Sequence, residues 1–114
     1  MQHKDVFLLG TIVEFCDRII RSTSNPDLTY DTFSKDLDLI DSCAFRIEQI
    51  GENVGDLSDS FREQTSEMEW HKIIGFRNII AHAYGSINDR VLWDIVRNDI
   101  PRLRNYCAKI IGIE

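Results

Sequence analysis

Ile74-Gly75-Phe76-Arg77-Asn78-Ile79-Ile80-Ala81-His82-Ala83-Tyr84-Gly85-Ser86-Ile87 sets Arg77, Asn78, His82 and Tyr84 into a segment that is otherwise apolar or small. Packing alone rarely calls for four such groups. Arginine is a permanent cation suited to phosphate, histidine titrates near neutrality, and tyrosine carries a hydroxyl that can act or be modified. Together they point to phosphodiester chemistry or phosphate binding. At 3.6 residues per turn Asn78 and His82 are i and i+4 neighbours, so the amide is placed to orient the imidazole. Continuing the stripe backwards adds Gly75 and His71, and gives a polar, partly open face. A mid-helix glycine costs about 1 kcal/mol relative to alanine, so Gly75 implies close approach of a second helix or a ligand. Arg77 and His82 stand about 140° apart around a regular helix and do not share a face. They meet if the helix ends near His82, if the arginine wraps round, or if each pairs with residues of a second copy. Singly, each residue has a plainer role: a hydrogen-bonded structural histidine, an ion-paired arginine, an aromatic closing a helix end. The combined spacing favours chemistry.

Outward from this stretch the chain reads as helix throughout. Val6, Leu9, Ile12, Val13, Cys16, Ile19 and Ile20 recur at helical spacing, and Ser22-Thr-Ser-Asn-Pro26 ends that first helix. Phe33, Leu37, Ile40, Ala44, Ile47, Gly51 and Val54 alternate four and three apart, which predicts one long helix over about 30–56 with a seam for left-handed packing. Ser58 is placed to cap a short helix through Gln64. Ser66-x-x-Glu69 has the form of a capping box that opens the central helix, over about 67–82. Asn88 is a good cap for a helix over 89–97, and Pro101 then kinks or restarts the chain, tolerable in a first turn if Asn98 or Asp99 caps the last helix. Short connections between amphipathic helices favour antiparallel neighbours, so the expected architecture is an all-α, up-and-down bundle of four to five helices. Phe7, Phe15, Phe45, Phe61, Phe76 and Trp93 read as core or dimer packing.

At 114 residues the chain is expected to be a single domain over 1–114. Cys16, Cys43 and Cys107 are scattered and odd in number, which predicts small core hydrophobes rather than disulfides or a zinc site. Neither His71 nor His82 has a glutamate three residues before it, so the paired motif of a di-iron bundle is missing, and no metal or other cofactor is expected. No run of about 18 apolar residues and no leader pattern occur, so a cytoplasmic chain without membrane contact is expected. Net charge is −6, unevenly spread: residues 1–70 hold 6 Lys+Arg against 15 Asp+Glu, residues 71–104 hold 6 against 3. The basic segment is the one that carries Arg77 and His82, which predicts a narrow site for an anionic strand on an acidic body.

Arg77-Asn78-x-x-x-His82-x-Tyr84 resembles the Arg-x4-His-x-Tyr signature of HepT-like toxins, helical ribonucleases of the HEPN superfamily. Trp70-His-Lys-Ile-Ile-Gly-Phe76 is similar to that family's lead-in, Val91-Leu-Trp-Asp-Ile-Val-Arg-Asn-Asp-Ile-Pro-Arg-Leu103 to its downstream block, and Ile47-Glu-Gln-Ile-Gly-Glu52 to a block of its second helix. The likeness runs from about residue 5 to 105, with Asn53 standing where the family usually has alanine.

The resemblance implies a HEPN-like homodimer whose signature helices face each other across a cleft, and an RNA substrate. Catalysis would fall to Arg77, His82 and Asn78, with His71, Gly75 and Glu52 supporting the cleft. In such chemistry His82 is the general base toward a ribose 2′-hydroxyl, Arg77 holds the scissile phosphate, and Asn78 orients His82 or binds the phosphate. Products would carry a 2′,3′-cyclic phosphate and a 5′-hydroxyl. The resemblance also implies a small MNT-type nucleotidyltransferase antitoxin that adenylylates the signature tyrosine, here Tyr84. The alternative reading is a non-catalytic helical partner of a nucleotidyltransferase, with Arg77 and His82 gripping a nucleotide or organising the interface. A plain dimeric interaction bundle is a third.

Overall fold

A computed structural model describes residues 1–82 and 88–113, apart from the side chains of residues 79, 81 and 82. All regular structure among these residues is helical: α1 (His3–Ser22), α2 (Tyr30–Lys35), α3 (Leu37–Gly55), α4 (Asp59–Gln64), α5 (Trp70–His82), α6 (Asp89–Asp94) and α7 (Ile100–Ile111), with a π-helical turn (Ile95–Asp99) joining the last two. Counting α6, the π turn and α7 as one continuous rod, four principal helices and two short ones form the bundle among the described residues. No helix among the described residues is long and apolar enough to cross a membrane.

The apolar stripes drive this packing. Leu9, Ile12, Cys16 and Ile19 of α1, Cys43, Ile47, Ile50 and Val54 of α3, and Leu103 and Cys107 of α7 are all fully buried, and α1 packs on both α3 and α7. All three cysteines are free and buried, as their isolation in the sequence predicts. Burial pushes the Cys43 thiol up to about 11 and that of Cys107 up to about 12. These thiols behave as small hydrophobes rather than nucleophiles.

Three sequence expectations need correction. The long helix over 30–56 is broken at Asp36, whose φ of −96° and ψ of 89° leave the helical region. Its carboxylate turns back to accept the Leu39 N–H at 3.1 Å, so the residue caps α3 instead of continuing α2. The break lets α2 swing Phe33 into the core against Trp93, with ring centroids 5.2 Å apart, while Leu37 is left exposed. The predicted Ser66–Glu69 capping box does not open α5: residues 65–68 form turns, and the Glu69 carbonyl receives the first bonds, from Lys72 N at 3.1 Å and Ile73 N at 3.3 Å. Pro101 does stand in the first turn of the last helix, but Asp99 does not cap that turn through its side chain and the helical path is not broken there. Proline has no N–H and its ring would strike the carbonyl four residues back, that of Arg97. The π turn widens the helix there, with Ile100 N–H reaching the carbonyl of Ile95, and Asp99 stays helical without a side-chain cap.

The other boundaries follow their caps. Ser58 accepts the Phe61 N–H at 3.2 Å to start α4, and Asn88 accepts from Arg90 N and Val91 N at 3.0 and 3.2 Å to start α6. Gly112 ends α7 at φ 77°, the left-handed conformation that glycine takes readily. Asp5, buried in the first turn of α1, accepts from both the N–H and the hydroxyl of Ser58 at 2.8 and 2.6 Å, and so fixes α4 to α1. Of the aromatic residues assigned to packing, Phe61 and Phe76 are buried and Phe15 and Trp93 are half-buried against the core. Phe7 and Phe45 are exposed, at 74% and 58%, and take no part in the core of the single chain.

Candidate functional site

α5 carries the signature, and its position is set at its first turn. Trp70 is buried against Phe61 and Tyr106, ring centroids 5.9 and 6.0 Å away, and its indole N–H bonds the Thr65 carbonyl and hydroxyl at 3.2 and 3.1 Å. From there Ile73, Phe76 and Ile80 face the core, which leaves His71 and Asn78 exposed and Gly75 and Arg77 partly so. The helix runs to His82, so the backbone sets Asn78 and His82 one turn apart on one face. The side chain of His82 is not described, and Tyr84 lies outside the described residues.

Arg77 meets Glu52 of α3, Nη1 to Oε1 at 3.0 Å, although 25 positions separate them in sequence. A glycine makes this contact possible. A β-carbon built on Gly51 would stand 3.0 Å from Arg77 Cβ and 3.5 Å from the Ile73 carbonyl oxygen, so α3 and α5 approach closely because residue 51 has no side chain. The expectation placed the close approach at Gly75. There an added β-carbon meets no described atom within 4 Å, so among the described residues no second helix crosses at that point. The signal for Gly51 stood in the sequence as the one glycine in the apolar seam of residues 33–54.

The stripe His71, Gly75, Asn78, His82 is also divided. His71 opens onto a 550 Å³ cleft at the start of α5, shared with Arg62, Glu63 and Glu69. Gly75 opens onto a 450 Å³ groove between α5 and the α6–π segment, with Phe76, Val91 and Ile95. Lys72 lines both, and its ammonium pairs with Asp99 at 3.0 Å.

The electrostatics are more balanced than the count over residues 71–104 suggests. Arg77, Arg102 and Arg104 pair with Glu52, Glu69 and Asp17 from the acidic part of the chain, at 3.0, 3.3 and 2.9 Å. Arg90 lies 3.8 Å from Asp94, and Arg97 donates to the Thr23 and Leu28 carbonyls while stacking over Trp93. The more exposed of these pairs, Arg77–Glu52 and Arg102–Glu69, contribute about 0–1 kcal/mol each, so exchange of the carboxylate for a phosphate would cost little. Arg77, with one Nη on Glu52 and its side chain one third exposed, keeps further donors for such an exchange. Among the described residues, no three His, Cys, Asp or Glu side chains gather as a metal site.

The family model described as ribonuclease HepT-like matches residues 11–110. A predicted RNase of Caldanaerobacter subterraneus subsp. tengcongensis is 30% identical over 106 residues, covering 93% of each chain. A predicted RNase of Methanocaldococcus jannaschii is 30% identical over 105 residues, 91% of this chain and 94% of its own. A predicted ribonuclease HepT of Thermococcus cleftensis is 33% identical over 64 residues, 56% of this chain and 58% of its own. No solved structure matches. With an all-helical bundle and a match over nearly its whole length, the chain belongs to the HepT-like ribonuclease family.

Proposed function

We propose that this chain is a metal-independent endoribonuclease, the toxin of a HEPN/MNT toxin–antitoxin pair, acting in the cytoplasm as a homodimer of single domains. The observation that carries this reading is Arg77. It is a partly exposed guanidinium, held by Glu52 across a glycine contact, five residues before a histidine that closes the same helix. Family membership supports RNA as the substrate class. His82, ordinarily titrating near neutrality, removes the 2′-hydroxyl proton, and Asn78 one turn earlier orients it. Arg77 exchanges Glu52 for the scissile phosphate and stabilises the charge that develops on its oxygens. Because Arg77 and His82 lie on different faces of α5, the second subunit completes each set. Tyr84 receives AMP from a nucleotidyltransferase antitoxin, and the added phosphate charge repels RNA from the cleft.

RNA cleavage in EDTA by the wild type and a His82→Ala variant tests the reading. The expected result is cleavage by the wild type, with 2′,3′-cyclic phosphate and 5′-hydroxyl ends, reduced about 100-fold or more in the variant. Equal cleavage removes His82 from the role of base, and a requirement for metal overturns the mechanism. Intact mass after co-expression with a nucleotidyltransferase tests the regulation: one AMP is expected on the wild type and none on Tyr84→Phe.

A further inference from the structure

The groove at Gly75 is left unfilled among the described residues. α5 and the α6–π segment both line the groove, and Lys72 of the first is joined to Asp99 of the second at 3.0 Å. Phe76 and Ile95, both buried, form its floor, and the absent side chain of Gly75 leaves its α5 wall open. The π turn forms the opposite wall: Ile95 and Asp99 stand at its two ends, and Asp94 immediately precedes it. π turns are concentrated at functional sites, because they redirect side chains within an otherwise regular helix.

We infer that this groove is a nucleobase subsite for the RNA strand cleaved at Arg77 and His82, selective for a base bearing an amino group. The inference rests on the ribonuclease reading above and names the specificity of the same site. Position along α5 is the first argument. Gly75 and His82 are seven residues apart, which places them on nearly the same face about 10 Å apart along the axis, a span that one or two nucleotides cover. Chemistry is the second. The floor is aromatic and aliphatic, the surface on which an unstacked base lies, and a volume of 450 Å³ accommodates one. Two carboxylates at the rim, Asp94 and Asp99, repel a phosphate but accept hydrogen bonds from exocyclic amino groups, as acidic side chains do from the cytosine N4 amine. Lys72 stands beside Asp99 and is half exposed, so it meets the phosphate that follows the base. Asp99 and Asp94 keep Lys72 and Arg90 as partners but retain lone pairs for a further donor; uracil has no amino group to offer them, gains nothing from the rim, and so binds more weakly than cytosine, adenine or guanine.

Binding of uncleavable 2′-O-methyl oligonucleotides, identical except for one base, tests this without any need for cleavage. Wild-type protein is expected to bind the strand with an amino-bearing base about tenfold more tightly than its uracil counterpart. Gly75→Leu, which fills the groove, should remove that difference; Gly75→Ala should reduce it. Both replacements improve helix propensity, and circular dichroism checks that each is folded. Equal affinity for all bases in the wild type overturns the inference, as does a preference that survives in Gly75→Leu. A Gly75→Leu change in sedimentation coefficient with unchanged base preference overturns it in favour of a second copy seated in the groove. Cleavage of a 2′-hydroxyl strand, measured alongside, reports separately on the ribonuclease reading.

Discussion

A β-carbon added at Gly51 runs into Arg77 at 3.0 Å, whereas one added at Gly75, on the helix that Gly51 touches, meets no described atom within 4 Å. The two glycines have the same local cost in a helix and opposite surroundings. At the first, the missing side chain is occupied by a neighbouring helix, and the contact brings a cation and a carboxylate together. At the second, no described atom takes its place, and a groove lies there between α5 and a π turn. The comparison separates a glycine that brings two helices together behind the candidate site from one that leaves a groove open beside it.

The sharpest way to break this distinction is to fill Gly51. The atom it meets is the Cβ of Arg77, which is fixed to its backbone and cannot swing aside, so α3 and α5 must separate. Gly51→Leu is expected to lose about 3 kcal/mol, at the upper end of overpacking costs, read from the midpoint of urea unfolding. A loss below about 1 kcal/mol would show that the two helices slide without strain. Gly75→Ala should do the reverse. With no described atom to strike and a better helix former in place, stability should rise by about 1 kcal/mol, as a higher midpoint at an unchanged denaturant slope. Destabilisation there would mean that something already fills the space.

Glu52 lies between these two cases. Its pair with Arg77 is partly solvated, with side chains 33% and 53% exposed, so Glu52→Gln should change stability by no more than about 0.5 kcal/mol. Its effect on RNA cleavage should be larger, because the substituted amide still accepts a hydrogen bond but no longer fixes the guanidinium by charge. The effect should appear as a rise in KM more than as a fall in kcat. An unchanged KM would make Glu52 a bystander of the site.

Much of this was legible from residue order. The apolar stripes of α1, α3 and α7, the caps at Ser58 and Asn88 and the inert cysteines all rest on local periodicity or local hydrogen bonding, which a sequence carries directly. The family signature was equally local. What sequence could not supply was direction in space. The seam over 33–54 runs unbroken through Asp36, yet the carboxylate there finds a cap and the chain bends. Charge counting over residues 71–104 gave a basic patch, but the partners of Arg77, Arg102 and Arg104 come from elsewhere in the chain. Pro101 announced a break, and only the three-dimensional path shows that a π turn absorbs it instead. Gly75 looked like the contact and Gly51 like one more seam residue, because a missing side chain does not say what takes its place.

The smallest expected effect sharpens the comparison at a third place, the entry to α5, where no glycine is involved and the anchor is a hydrogen bond. Tyr106 of α7 donates its hydroxyl to Glu67, in the turn before α5. Burial and the neighbouring carboxylate push the tyrosine up to about 12, while the hydroxyl holds Glu67 below its ordinary 4.5. A carboxylate lowered by folding stabilises the native state above its unfolded value, and that contribution fades as pH falls through the folded value. For the tyrosine, raised by folding, the contribution persists through neutrality and is lost only as pH rises through about 12. Tyr106→Phe should therefore lower the urea midpoint slightly at pH 7, by less than Glu52→Gln does, because Glu67 is fully exposed to solvent. The difference from wild type should narrow as the pH is taken below the carboxylate range. A gap that stays constant from neutrality into acid would assign the effect to the packing of the ring against Trp70 rather than to the hydroxyl, and would remove the Tyr106–Glu67 bond from the contacts that anchor the start of α5.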